Sequence, residues 1–392
     1  MKVAITCPAS FPATQFGGIM FLAFNIARMA RANGHDPTIY TTDLDFAREG
    51  DGLFNRDLPA EEERDGVRIR RSHVYARIQR FFINPGICSM IKKDKPDIIH
   101  AVGIRGFQSL AAALASKSLG VPLVVSDQGG LGTHPNAGRG ATRILYRLQE
   151  PAIRMIIHRA TRIIAANEYE KRIFSEYCAP AKIRIVRNGI DLGSIASPPF
   201  DYKSRHNLPR FLLFVGRLDH SKGPDILLRA ARILKDSGKL DGAKILLMGP
   251  DFGFEGEVRS LIRDLDLGDV AVLVPNPSRD DVISAYHGCE FLVLPSRWEM
   301  SPLTPVEGFA CGRTVVSSRI DGVADVIRDG VDGLLFEPES HEDLAEKTAS
   351  LLDDPGLVKR LAASAGERSA MYSDARMWES LAAVYEECRK GT

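Results

Sequence analysis

The strongest constraint on this chain is an alternation that runs twice through its 392 residues: short apolar runs of strand length, each followed by a segment of helical length. The first half opens on a βαβ unit, with a strand at Lys2 to Cys7, a loop carrying Gly17-Gly18, an apolar helix from about Ile19 to Asn33 stopped by Gly34, and a strand at Thr38 to Thr42. Strand-length runs recur at Asp97 to Val102, Leu123 to Ser126, Arg162 to Ala166 and Ile183 to Val186. Ser197-Pro198-Pro199 is the best candidate hinge. Beyond it the alternation restarts, with strands at Phe211 to Val215, Lys244 to Met248, Ala271 to Val274, Phe291 to Leu294, Thr314 to Ser317 and Gly333 to Phe336. Such alternation implies α/β architecture with parallel sheets covered on both faces. The expectation is two Rossmann-like doubly wound domains in tandem with a cleft between them, 1–195 and 196–375, and a helix over 376–392 packing back toward the first domain.

Composition narrows the class. A 44% hydrophobic and 26% charged chain is that of a soluble globular protein. No stretch approaches the roughly 20 apolar residues of a membrane-spanning helix, and Met1 to Thr6 runs straight into a strand, so a cytoplasmic enzyme is the default expectation. The six cysteines are scattered without the spacing of a zinc or redox motif and read as small buried residues. The net charge of +1 conceals a split: residues 1–195 hold 27 Lys+Arg against 18 Asp+Glu, and the remainder 24 against 32. A basic half can meet nucleic acid, an anionic membrane surface or a phosphorylated substrate.

Two stretches of the second half carry chemistry. Glu299 and Glu307, with seven residues between them, follow the strand-like run Phe291 to Ser296. One carboxylate falls on the loop at the carboxyl end of a strand and the other in the first turn of the next helix, where open α/β sheets bind ligands. Ionised carboxylates accept paired hydrogen bonds from vicinal hydroxyls, which suits a polyhydroxylated ligand. Thr304-Pro305-Val306-Glu307 also reads as a capping box with proline at the first helical position, which gives Glu307 a purely structural alternative. The second stretch, Gly216-Arg217-Leu218-Asp219-His220-Ser221-Lys222-Gly223-Pro224, leaves one strand and enters a helix. Glycines, a helix amino end and two fixed cations make a diphosphate cradle in outline, against the alternative of a loop with two surface bases.

Other readings are excluded or remain open. No Walker loop occurs, and the loop after the first strand lacks the dinucleotide glycine pattern, which argues against an NTPase and a dehydrogenase. Asp43-Leu44-Asp45 has metal-pair spacing but reads as a loop with a turn aspartate. The segment Val67 to Lys95 mixes Arg68, Arg70, Arg71, Arg77, Arg80, Lys92, Lys93 and Lys95 with exposed-looking Tyr75, Phe81, Phe82, Ile83, Ile87 and Ile91. It is a candidate amphipathic contact with an anionic membrane, or else a solvated face with ordinary core contacts.

The chain resembles the retaining glycosyltransferases of family 4, which have the two-domain GT-B fold. The resemblance rests on Phe214-Val215-Gly216-Arg217-Leu218 with Lys222-Gly223, on Leu294-Pro295-Ser296, the glutamate pair, Ala310-Cys311-Gly312 and Asp329 to Phe336, and in the first half on Gly17-Gly18, Gly34-His35, Asp97 to His100 and Asn188 to Asp191. It implies transfer of a hexose-type sugar from a nucleotide diphosphate sugar to a hydroxyl of a glycan or lipid-linked acceptor, with retention and without metal or other cofactor. By the same resemblance Arg217 and Lys222 hold the diphosphate, Glu299 the donor sugar and Glu307 the ribose. Gly17, Gly18, Gly216, Met300, Ser301 and Leu303 complete the donor set. Where many members place a histidine near the reacting sugar this chain reads Ser126-Asp127-Gln128-Gly129-Gly130, so Asp127 and Gln128 are site candidates, with His134 as another substitute and a packed turn as the alternative. Pro302 stands where glycine is common and has no N–H to offer a ligand. The implied place is the cytoplasm or the inner face of a membrane, with no nucleic-acid partner. The rivals are a GT-B epimerase or phosphorylase, or a non-catalytic module binding nucleic acid or anionic lipid.

Overall fold

The computed structural model describes residues 1–13, 17–45, 53–78, 81–127, 129, 131 and 140–391. The chain divides into two compact units, Met1–Gly189 with Asp374–Thr392, and Ile190–Ser373.

The first unit contains β1 (Lys2–Thr6), α1 (Gly18–Ala32), β2 (Asp36–Thr42), β3 (Glu61–Arg64), β4 (Val67–Ser72), β5 (Ala76–Ile78), β6 (Phe81–Ile83), α2 (Gly86–Asp94), β7 (Ile98–Val102), α3 (Phe107–Leu119), β8 (Leu123–Ser126), α4 (Gly140–Arg159), β9 (Arg162–Ala165), α5 (Glu168–Ser175) and β10 (Ile183–Ile185). Its sheet runs β10-β9-β8-β7-β1-β2-β4-β3, parallel except for β3 on β4. β1 pairs with β2 on one side and β7 on the other, so the strand order reverses at the β1/β7 boundary. α1 buries Leu22, Ala23, Ile26, Ala27 and Ala30 at helical spacing.

The second unit contains α6 (Tyr202–His206), β11 (Phe211–Val215), α7 (Pro224–Asp236), β12 (Lys244–Gly249), α8 (Glu255–Asp264), β13 (Ala271–Pro275), α9 (Arg279–Gly288), β14 (Leu292–Leu294), α10 (Thr304–Ala310), β15 (Val315–Ser318), α11 (Asp321–Ala324), β16 (Leu334–Phe336), α12 (His341–Asp353) and α13 (Pro355–Ser369). All five strand pairings are parallel, in the order β13-β12-β11-β14-β15-β16. Numbered within the unit this is 3-2-1-4-5-6, the dinucleotide-fold order, and it reverses between β11 and β14. The strands are apolar along their length because both faces are covered: Leu213 and Leu246 face one core, and Leu212, Ile245 and Leu247 face the other. The unit already begins at Ile190, whose N–H donates to Tyr372 O at 2.8 Å, so Ser197-Pro198-Pro199 lies inside it. The last helix, α14 (Asp374–Lys390), belongs to the first unit. It buries Met377, Trp378, Leu381 and Tyr385 in the core that α1 also lines.

The amphipathic reading of Val67 to Lys95 is corrected by the fold. Val67 and Ile69 point inward from a sheet strand, and Ile87 and Ile91, one turn apart on α2, are fully buried. Phe82 is buried as well, which leaves Tyr75 and Ile78 as the large apolar side chains exposed there. The basic residues include structural partners: Arg70 pairs with Asp94 and Glu61, and Arg71 with Glu62 at 2.7 Å. The alternation of charge and apolar residues reports strand and helix packing. Of the cysteines, Cys7, Cys289, Cys311 and Cys388 are buried, while Cys88 and Cys178 are only partly so; all six are free thiols. No helix among the described residues is long and apolar enough to cross a membrane.

Candidate active site

At the reversal point of the second unit the loops after β11 and β14 come together. Lys222 Nζ donates to Glu299 Oε1 at 2.6 Å, and Ser296 Oγ donates to the same oxygen at 2.7 Å. Glu299 is buried and Lys222 is mostly so, with side-chain exposures of 6% and 18%. The two residues are 77 positions apart in the sequence, and the sheet order brings them into contact. Arg217 stands on the same loop as Lys222, with Nε 3.2 Å from Asp219 Oδ2 and its guanidinium 5.0 Å from the Phe252 ring centroid.

The approach of the two loops requires glycine. Gly223 has φ +66°, and a Cβ there would lie 2.0 Å from the carbonyl oxygen of Pro295. Gly322, at the start of α11, rests against Glu299 in the same way, a Cβ meeting the Glu299 carbonyl oxygen at 2.0 Å. A side chain at either position would move the backbone that carries Glu299.

Arg297 ties the loops together and went unnoticed in the sequence. Its Nη1 and Nη2 donate to Asp225 Oδ1 and Oδ2 at 2.7 and 2.8 Å, Nη1 also to His220 O at 2.8 Å, and Nε to Glu339. Its backbone N–H donates to Ser221 O at 2.8 Å. Asp225 sits in the first turn of α7, where its charge would oppose an incoming anion; the bidentate guanidinium neutralises it and leaves the helix end to Arg217 and Lys222. The hydrogen bond to Asp225 holds the guanidinium pKa above its ordinary value despite partial burial. The signal for Arg297 was only its place two residues before Glu299.

The structural alternative for Glu307, a capping box, does not form. α10 starts at Thr304 with Leu303 as N-cap and no side-chain cap bond, which places Glu307 one position further along. Its carboxylate reaches across to α9 instead: Oε1 accepts from Arg279 Nη2 at 2.7 Å and Oε2 from the Tyr286 hydroxyl at 2.9 Å. Burial, and then the Glu307 charge, raise the Tyr286 phenol well above its ordinary pKa, so it stays a donor. These partners lie 28 and 21 positions away, beyond the reach of any local motif. Met300 is buried, and Ser301 and Leu303 are partly so, on the loop between the glutamates. Gly216 closes β11, its N–H bonded to Met248 O at 3.0 Å.

The first unit has its own reversal point. Gly17, at φ +89°, precedes α1, whose first residue is Gly18, and a Cβ on either would meet no atom of the described residues within 4 Å. Asp127, at the end of β8, is buried; its carboxylate accepts the backbone N–H of Ile104 at 3.3 Å and of Leu131 at 3.1 Å. Those are partners of a turn-anchoring aspartate. Gln128 and His134 lie outside the described residues. His100 is fully buried between the Tyr385 hydroxyl (2.8 Å) and Ser126 Oγ (3.0 Å), and burial lowers its pKa to about 3, so it is neutral at physiological pH. A cavity of about 20 Å³, room for roughly one water molecule, lies beside His100, Ser126, Asp127, Arg187 and Asn188. Asp43 pairs with His73, Asp45 accepts from Asn55 Nδ2 at 2.9 Å, and no metal-binding cluster occurs among the described residues.

Comparison with known proteins identifies the family and the fold. Residues 16–194 match the family model "Glycosyltransferase Family 4" and residues 201–368 the model "Glycosyl transferases group 1". The D-inositol 3-phosphate glycosyltransferase 1 of Catenulispora acidiphila is 32% identical over 75% of this chain and 73% of its own length. The D-inositol 3-phosphate glycosyltransferase of Nocardiopsis dassonvillei is 27% identical over 98% of this chain and 92% of its own. In fold, the chain is similar to sucrose-phosphate synthase from Thermosynechococcus elongatus (TM-score 0.79, 19% identity, full coverage of both chains). It is also similar to HepE of Anabaena in complex with UDP and glucose (TM-score 0.78, 17% identity, 99% of this chain and 100% of that one). Two tandem parallel-sheet units, a charged site at the reversal point of the second and these matches lead to one assignment: the chain belongs to glycosyltransferase family 4 and is a glycosyltransferase of the GT-B fold.

Proposed function

We propose that the protein transfers a hexose from a nucleotide diphosphate sugar to an acceptor hydroxyl, with the anomeric configuration retained and without a metal ion. The observation that carries this reading is the Lys222–Glu299 contact at the reversal point of the second sheet. Lys222 and Arg217 are the diphosphate ligands, Glu299 the acceptor of sugar hydroxyl protons, and Glu307 the ligand of the ribose diol. Asp127 and Gln128 are assigned to the neighbourhood of the reacting sugar, and the backbone of Gly17 and Gly18 to the phosphates or the acceptor. Transfer breaks the bond from the anomeric carbon to the diphosphate and forms one to the acceptor oxygen, so negative charge grows on the leaving group. Cations already held in place stabilise that charge more in the transition state than in the ground state. Two fixed cations beside a helix end supply what a divalent ion supplies elsewhere, which supports the metal-free assignment. The UDP and glucose bound by HepE put UDP-sugars first among donors. The names of the relatives, with the basic first half, put an inositol phosphate first among acceptors to set beside glycans and lipid-linked sugars.

A thermal-shift panel of UDP-, GDP- and ADP-sugars, with and without EDTA, tests the donor. Saturable stabilisation by one nucleotide, unchanged by EDTA and lost in Glu307→Ala, is the expected result. Stabilisation that EDTA abolishes overturns the metal-free assignment, and the anomeric proton coupling of the product in NMR decides retention.

A further inference from the structure

Phe252 lies beside Arg217, and nothing in the proposed transfer chemistry uses it. β12 pairs with β11, so the loop that leaves β12 runs alongside the loop that carries Arg217 and Lys222. Backbone bonds stitch the two together: Leu218 N–H donates to Pro250 O at 2.8 Å, and Phe252 N–H to Leu218 O at 3.0 Å. Glycine at 249 permits this approach, since a Cβ there would lie 1.8 Å from the Gly216 carbonyl oxygen. Asp251 Oδ1 then accepts the N–H groups of Gly253, Phe254 and Glu255 at 2.8, 2.9 and 3.0 Å, which fixes the turn on which Phe252 and Phe254 stand. The Arg217 guanidinium lies over the Phe252 ring, 5.0 Å from its centroid, and the Phe254 ring meets the His220 ring in a T-shaped contact at 6.0 Å.

Two contacts define the direction of Arg217. Its Nε stands 3.2 Å from Asp219 Oδ2, and Asp219 is itself held, because its other oxygen accepts from the Ser221 hydroxyl and from Lys222 N–H at 3.1 Å. The second contact is the Phe252 ring, which fixes the face of the guanidinium. Neither Nη atom of Arg217 makes a hydrogen bond among the described residues, so the outer fork stays open on a group held at two points.

We propose that Phe252 is a positioning residue for Arg217: its ring holds the guanidinium by cation–π attraction with the Nη fork turned to the donor's diphosphate. This role rests on Arg217 being a diphosphate ligand. The negative face of an aromatic ring attracts a cation and leaves its in-plane N–H groups free. A carboxylate in the same place would take the fork that a phosphate needs. Leucine would fill much of the space without attracting the charge, and the guanidinium would then be held from one side only, by Asp219. A fork oriented beforehand loses less rotamer freedom when the phosphate arrives.

The test uses the full chain with UDP, or whichever nucleoside diphosphate the thermal-shift panel selects, and with the matching nucleoside, which lacks the diphosphate. Calorimetry measures the first and ligand-observed NMR the second. Phe252→Leu is expected to weaken the diphosphate about three- to tenfold and to leave the nucleoside unchanged, with circular dichroism like that of the wild type. Phe252→Trp, which supplies a stronger ring, is expected to hold or tighten it. In an Arg217→Ala background, Phe252→Leu is expected to change the affinity no further. Wild-type affinity in Phe252→Leu, equal losses in the Leu and Trp variants, a loss that the nucleoside shares, or a full effect of Phe252→Leu in the Arg217→Ala background overturns the proposal and gives Phe252 to loop packing. Each of these leaves the donor site standing. A wild type that binds no nucleoside diphosphate overturns the donor assignment itself, and the role of Phe252 with it.

Discussion

The two units end their central strands differently. In the second, the loops after β11 and β14 are crosslinked by charge: Lys222 to Glu299, Arg297 to Asp225, and Arg297 to the His220 carbonyl. In the first, the corresponding end holds Gly17 and Gly18, whose Cβ positions meet no atom of the described residues within 4 Å, a neutral buried His100, and an aspartate that accepts from two backbone N–H groups. One end is preorganised around charge before any ligand arrives, at the cost of steric requirements at several glycines. The other leaves backbone exposed and keeps its polar groups in the packing. The difference suits the proposed division, in which the second sheet binds the anionic group of the donor.

The largest effect expected from breaking this comparison is at the Lys222–Glu299 pair. If Lys222 faces the leaving diphosphate as proposed, Lys222→Ala is expected to cut turnover by about 10² to 10³, roughly 3 to 4 kcal/mol of transition-state stabilisation. Glu299→Gln separates the two roles. It keeps the shape but releases the Lys222 ammonium from its carboxylate, so transfer falls while affinity for the free nucleoside diphosphate holds or rises. Calorimetric titration of that nucleotide decides it. A Glu299→Gln protein that loses nucleotide affinity together with transfer would show that the pair serves the loop fold rather than the ligand.

A smaller effect sharpens the steric side of the comparison. Gly223 and Gly17 both have positive φ, but alanine at Gly223 drives Cβ to 2.0 Å from a backbone oxygen, and at Gly17 it meets no atom of the described residues within 4 Å. Gly17, at φ +89° and ψ −153°, lies in a region nearly closed to other residues, so Gly17→Ala carries a backbone penalty of about 1 to 3 kcal/mol, while Gly223→Ala adds a backbone clash to the left-handed penalty and is expected to cost more, about 4 kcal/mol. Urea denaturation midpoints of the two variants measure the gap. Equal losses would mean that the loop after β11 yields as readily as the loop after β1.

The same contrast explains what could be read from the residues. The two loops that meet at the second reversal point were legible because each is a local string: Gly216 to Pro224 and Ser296 to Glu307 carry glycines, cations and carboxylates at fixed offsets from a strand end. Doubly wound architecture was legible because hydrophobic alternation is a short-range property. Arg279 and Tyr286 were not, since their relation to Glu307 exists only once α9 and α10 pack. The segment Val67 to Lys95 misled for the complementary reason: charge next to apolar residues looks the same whether the apolar side chains face lipid or, as with Ile87 and Ile91, a core.

The finest test concerns Tyr286. Its hydroxyl and Arg279 each take one oxygen of Glu307, which fixes the carboxylate plane and leaves a lone pair on each oxygen for the two hydroxyls of a ribose. Tyr286→Phe deletes that one hydrogen bond and keeps the ring that packs in the core, so stability should change little. If Glu307 is the ribose ligand, affinity for the ribonucleotide should fall about five- to tenfold, in line with about 1 kcal/mol for one hydrogen bond. Affinity for the 2′-deoxy analogue should fall much less, because one of the hydroxyls that the aligned carboxylate serves is already missing. The variant would therefore discriminate less between the two sugars than the wild type. Equal losses for both nucleotides would assign Tyr286 to the packing of α9 against α10, and leave the orientation of Glu307 to Arg279 alone.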